Sequence, residues 1–256
     1  MGSNVHDMAW VAGLCIPFVW LCHRLKVLTV GGGAMAGLIA MAVVVSQGWL
    51  WLVPLFVFLI SGVLLGRLNK NARSDAKHGK PRDAVQVFCN GGIYAIAACL
   101  PSSYSPAFMM WTSVSVAMSD TWASELGMRF GGKPFDLATY STLDRGVSGG
   151  ITWVGCLGGV IGASLMGIVV ELLFMPTTIL TAMAFMVVFC GTVGTAGMLL
   201  DSWLGANMQA RFDDGAGLRD QGSRRVSGFA WMTNDMVNLI SNVLMVAAVH
   251  ALITSL

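Results

Sequence analysis

The sequence predicts an all-α, polytopic integral membrane helix bundle of about eight transmembrane helices, with both termini outside. Three observations carry this. Of 256 residues, 55% are hydrophobic and only 11% charged, where a soluble domain carries roughly 25% charged residues. Apolar runs near the ~20 residues that cross a bilayer recur along the chain. All 15 lysines and arginines fall in alternate connections between those runs. Residues 1–256 read as a single integral membrane domain.

The runs lie at about 8–22, 27–45, 49–66, 85–101, 105–124, 151–170, 177–200 and 236–254. The first has neither a basic flank before it nor a small-residue cleavage signature, so it reads as a retained helix. The second carries Gly31, Gly32, Gly33 and Gly37 on a small-residue face, and the third is apolar but for Ser61. The fourth is short and contains Asn90, Gly91 and Gly92; with the first it sets the margin of seven to nine helices. The fifth ends in a polar stretch. The sixth repeats Gly155, Gly159, Ala163 and Gly167 every fourth residue, a smooth face for close helix contact. Gly191, Gly194 and Gly197 thin the seventh, and Asn234 and Asp235 open the eighth helix.

Charge placement tests the count independently. The first, third, fifth and seventh connections hold every Lys and Arg, and the others hold none. By the positive-inside rule these four are cytoplasmic. Only Asp7 and Glu171 among the acids fall on the other side.

A net charge of +2 gives no footprint for nucleic acid. Cys15, Cys22, Cys89, Cys99, Cys156 and Cys190 lack metal or CxxC spacing and read as ordinary thiols. The chain has no Walker or HExxH motif, and histidine-based chemistry finds little support.

Ionisable groups inside membrane helices are expensive, which makes them candidate functional residues. Ser113, Ala117, Asp120 and Ser124 form one stripe on the fifth helix, with Thr121 and Glu125 beside it. Two carboxylates at that helix end suit Mg²⁺, which takes few carboxylates and shares phosphate oxygens. Gln86 and Asn90 are one turn apart on the fourth helix. Asp235, Asn238 and Asn242 share a face of the eighth, serving either a site or interhelical hydrogen bonds. Asp201, directly after the seventh run, is followed by Ser202, Gly205 and Gln209. Lys80 and Arg82, and the segment Arg145-Gly146-Val147-Ser148-Gly149-Gly150, offer cations and free backbone N–H groups suited to phosphate.

Five blocks occur in order: Gln86-Val87-Phe88-Cys89-Asn90-Gly91, Asp120-Thr121-Trp122-Ala123-Ser124-Glu125, Gly146-Val147-Ser148-Gly149-Gly150, Asp201-Ser202-Trp203-Leu204-Gly205-Ala206 and Asn234-Asp235-Met236-Val237-Asn238-Leu239. Through them, residues 65–245 resemble the transmembrane-protein-19-like family (integral membrane domain of unknown function 92), which includes plant phytyl-phosphate kinase. In many members the third block reads Gly-Thr-Asn-Gly-Gly, which this chain replaces with Gly146-Val147-Ser148-Gly149-Gly150 after Arg145.

The resemblance implies a CTP-dependent, Mg²⁺-assisted kinase that converts a phytyl- or polyprenyl-type monophosphate to the diphosphate at the cytoplasmic face. It places Asn90, Asp120, Ser124, Glu125, Gly150, Asp201, Gln209, Asp235 and Asn238 in the site. Joined to the reading of the residues, it gives Asp120, Glu125, Asp201 and Asp235 to Mg²⁺ or its waters, with Asp120 and Glu125 as the catalytic pair. Lys80, Arg82 and Arg145 neutralise phosphates, and Gln86, Asn90, Ser148 and Asn238 orient them. Ser124, Gly150 and Gln209 complete the substrate- and nucleotide-binding set. The partners are then a lipid phosphate, a nucleotide and membrane lipid, with homo-oligomerisation open. The rivals are a cytidylyltransferase making a CDP-linked lipid and a lipid-phosphate transporter without chemistry.

Overall fold

The computed structural model describes residues 3–68, 81–175, 180–213, 215 and 217–255. Among these are eight α-helices: α1 (Ser3–Arg24), α2 (Val30–Gln47), α3 (Val53–Leu68), α4 (Ala84–Ala98), α5 (Pro106–Phe130), α6 (Trp153–Phe174), α7 (Leu180–Asn207) and α8 (Asn234–Thr254). Each corresponds to one apolar run of the sequence. Among the described residues five segments are long and apolar enough to cross a membrane: Val30–Gln47, Trp49–Arg67, Trp153–Phe174, Ala184–Asn207 and Asn234–Thr254.

α5 is the axis of the bundle, packing against α3, α4, α6, α7 and α8. Every residue from Met110 to Ser119 is buried. A helix enclosed by protein need not be greasy, which explains why α5 carries Thr112, Ser113, Ser115 and Ser119 yet lies in the core. Small residues bring its neighbours close. Ser119 Oγ donates to the Gly159 carbonyl of α6 at 3.1 Å. On the other side of α6, a methyl at Gly167 would lie 2.5 Å from the Met186 carbonyl oxygen of α7. At one end of α5, Trp51, Trp111, Phe108, Phe174 and Phe189 form an aromatic cluster. Tyr94 Oη closes it by donating to the Trp51 carbonyl at 2.7 Å.

The other end holds the connections rich in basic residues. There the even-numbered helices begin on side-chain caps, which satisfy N–H groups left free at a helix start. Thr29 accepts from Gly32 N, Thr152 from Gly155 N and Thr233 from Met236 N. Asp83 and Gln86 form a reciprocal capping box on α4.

Two differences from the sequence reading matter for function. First, α7 runs to Asn207, so Asp201 lies within a helix, as Glu125 and Asp235 do at the end of α5 and the start of α8. Asp201 is in the last two turns of α7, not after it. The apolar runs stop early because these turns face a polar cavity and not lipid. Second, the connections contain short strands. β1 (Phe135–Asp136) pairs antiparallel with β2 (Gly150–Ile151). β3 (Arg211–Asp213) lies between β4 (Leu218–Arg219) and β5 (Arg225–Ser227), antiparallel to both.

Candidate functional site

A cavity of about 280 Å³ opens at this end of the bundle. It is built by the start of α4, the last turns of α5, the segment leading into α6, the end of α7 and the start of α8. Arg82, Gln86, Asn90, Asp120, Ser124, Glu125, Arg145, Ser148, Gly150, Asp201, Asp235 and Asn238 all line it. Gln209 stands one contact away, donating from Nε2 to Ser148 Oγ at 2.8 Å. Lys80 lies outside the described residues. Three helix starts, those of α4, α6 and α8, thus converge on one space, and aligned peptide dipoles make such ends favourable for anions.

The carboxylates are held differently. Asp201 sits close enough to Asp120 to feel its charge. Its Oδ1 accepts from Ser241 Oγ at 3.0 Å. With its amide nitrogen turned toward Asp201, Asn238 donates to the same oxygen at 3.0 Å and to the Asn234 carbonyl at 3.0 Å. Glu125 acts on Arg82 across the cavity: burial lowers the guanidinium pKa, and the Glu125 charge opposes that shift. Among the described residues no three His, Cys, Asp or Glu side chains come together closely enough to hold a metal ion by themselves. The Asp120–Asp201 pair still fits a cation that takes one or two carboxylates and completes its shell with phosphate oxygens and water.

Arg82 owes its place to a segment the sequence leaves silent. Its backbone N donates to the Val27 carbonyl at 3.0 Å, and its carbonyl accepts from Thr29 N at 3.0 Å. Its guanidinium lies over the Phe58 ring, 5.6 Å from the centroid. On α4 the Gln86 side-chain oxygen accepts from Asp83 N at 3.2 Å, which turns its amide NH₂ away from the cap. Asn90 Nδ2 donates to the Gln86 carbonyl at 2.9 Å.

Sequence reasoning missed how Ser148 is fixed. Ser148 Oγ donates to the Asp220 carboxylate, and Ser148 N donates to Asp220 Oδ1 at 3.0 Å. Arg211 Nη2 donates to the Ser148 carbonyl at 2.9 Å, while its Nη1 pairs with buried Asp136 at 2.6 Å. Burial pushes the Asp136 carboxyl up. The Arg211 hydrogen bond and the Ala138 and Thr139 N–H donors outweigh it and hold the group below its ordinary value. Asp220, Asp136 and Arg211 belong to no motif, and only the pairing of the two connections brings them together. Asn242, placed on the same α8 stripe as Asn238, instead donates to the Ser113 carbonyl at 3.0 Å and serves packing. All six cysteines are free thiols.

Residues 13–246 match the family described as Integral membrane protein DUF92. The chain belongs to this family. It is an integral membrane protein, and the relatives of this DUF92 member span three groups of organisms. An uncharacterized membrane protein of Methanocaldococcus jannaschii is 35% identical over 164 residues, covering 62% of this chain and 65% of that relative's length. Protein PGR of Arabidopsis thaliana is 25% identical over 252 residues, covering 86% of each chain. An uncharacterized membrane protein of Synechocystis is 24% identical over 232 residues, covering 86% of this chain and 80% of its own. No solved structure matches. Cations, helix starts and carboxylates surround the cavity of this DUF92 protein.

Proposed function

We propose that this protein is a membrane-embedded, CTP-dependent kinase that phosphorylates an isoprenyl monophosphate to the diphosphate at the cytoplasmic face. One observation carries the reading: a single cavity gathers three helix starts, Arg82 and Arg145, and the carboxylates Asp120, Glu125, Asp201 and Asp235. That combination suits two phosphate groups and a divalent cation better than either alone. The resemblance to a family that includes plant phytyl-phosphate kinase supplies the substrate class.

Phosphoryl transfer asks for positioning and charge neutralisation more than for covalent chemistry by the protein. A phosphate monoester has a second pKa near ~6 and arrives mostly as a ready nucleophile. An oxygen of the acceptor phosphate attacks the γ-phosphorus of CTP, the bond to the β–γ bridging oxygen breaks, and CDP leaves. No strong base is required, in keeping with a site whose lining has no histidine among the described residues. Asp120 and Asp201 would hold Mg²⁺, with Glu125 and Asp235 reaching it directly or through its waters. When bound, the ion neutralises phosphate charge. Arg82 and Arg145 draw the two anions together and the side-chain amides of Gln86 and Asn90 orient them, while Ser148 and Asn238, whose donors are held by Asp220, Asp201 and Asn234, shape the site around them.

Purified protein in lipid vesicles, given CTP labelled at the γ- or the α-phosphate, tests this. We expect γ-label, but no α-label, to appear on geranylgeranyl monophosphate, with Asp120→Asn lowering turnover at least ~100-fold. Transfer of the α-label would make the protein a cytidylyltransferase. Lipid phosphate moving across the vesicle with no transfer would make it a transporter.

A further inference from the structure

A second cavity, of about 530 Å³ and almost wholly apolar, lies between α1, α2, α3 and α4. It adjoins the polar cavity. Arg82, Gln86 and Asn90 line both it and the polar cavity, so the two spaces meet at the start of α4. Arg82 marks the junction, its guanidinium over the Phe58 ring and Phe58 itself on the apolar wall. From Arg82 the lining changes to Ile39, Ala40, Leu52 and Leu55, with no further charged residue. α1 packs chiefly on α2. It meets α3 through the edge-to-face pair of Phe18 and Phe56, centroids 5.8 Å apart, and carries Pro17 in its middle. A proline there removes a backbone hydrogen bond and weakens α1 at that level.

We infer that this groove holds the hydrocarbon tail of the isoprenyl phosphate whose head occupies the polar cavity, with access from the bilayer between α1 and α3. The charge pattern selects the occupant: an anion at Arg82 continuous with a long apolar chain. Its polyisoprenyl identity rests on the proposed function, while the location of the tail rests on the two joined cavities alone. The first helices, which bear no motif, then set which tail length is accepted.

The test uses the full-length protein in lipid nanodiscs with geranylgeranyl monophosphate carrying a diazirine at the tail end. Label is expected on groove residues of α1–α4, displaced by unlabelled geranylgeranyl monophosphate and not by geranylgeraniol or bulk phospholipid. Label confined to the outer faces of α6 and α7, or displaced equally by phospholipid, would overturn the inference and indicate ordinary annular lipid. Kinetically, Ala40→Trp should raise KM for the C20 acceptor about 10-fold or more. KM for a five-carbon prenyl phosphate and for CTP should not change; an equal rise for both acceptors would overturn the groove. Specific groove labelling in a protein that transfers no phosphate would retain the tail site and reject the kinase, so the two failures are distinguishable.

Discussion

Ser148 is the residue whose surroundings say most about its role. Asp220 binds both its hydroxyl and its N–H, Gln209 donates to its oxygen, and Arg211 holds its carbonyl. Groups that orient the lining of a binding site typically change affinity or activity 10- to 100-fold when removed, and roughly that is expected of Asp220→Asn. The loss should appear in KM for the nucleotide more than in thermal stability. Asp136 answers to the opposite measurement. Asp136→Asn leaves Arg211 buried without its partner and should cost about 3–5 kcal/mol in detergent-solubilised unfolding. Because pairing holds the folded Asp136 pKa below that of the unfolded chain, its contribution is complete above an unfolded value of ~3.9. It fades as pH falls through the lower folded value. Wild type and variant should therefore differ at neutral pH and converge in acid. Neither residue stood out in the sequence, since an acid in a basic connection looks solvated until its partner is located.

Between elements, backbone approach decides how the cavity is shaped. Gly149 has φ +84 and lies against the first atoms of Ala206 on α7, where a methyl group would collide with the Ala206 backbone nitrogen. Gly149→Ala should combine a left-handed backbone cost of about 1–2 kcal/mol with displacement of Ser148 and Gly150, lowering both melting temperature and turnover. Gly48→Ala is the control: its φ is +94 but nothing lies within 4 Å, so it should lose stability without losing activity. Gly32 touches the same principle without a special φ. A methyl there would strike the Arg82 carbonyl oxygen, and Gly32→Ala should weaken substrate binding through a helix that carries no motif. The glycine spacing of α6 was legible as a packing face, and its partners on α5 and α7 agree with that reading. The closeness of α2 to Arg82 was not legible, because 50 residues separate them and neither lies in a repeating pattern.

For the whole molecule, the alternating basic connections predict that both termini lie on the same, outer side. Reporters fused to each terminus, active only in one compartment, should both report the side opposite to one placed after Lys133. Opposed signals from the two termini would mean an odd number of crossings. Helix number, approximate limits and the clustering of polar groups at one end were written in composition and periodicity, since a bilayer penalises any polar residue it must cover. The chain also named most of the residues that line the cavity, because an acid or amide in an apolar run has few reasons to be there. The tertiary structure alone decided that α5 is the axis, that three helix starts share one space and that Asp220 and the Asp136–Arg211 pair hold Ser148. It alone joined the polar cavity to the apolar groove. Those features depend on contacts between segments far apart in the chain, and local pattern carries no record of which distant neighbour a side chain will meet.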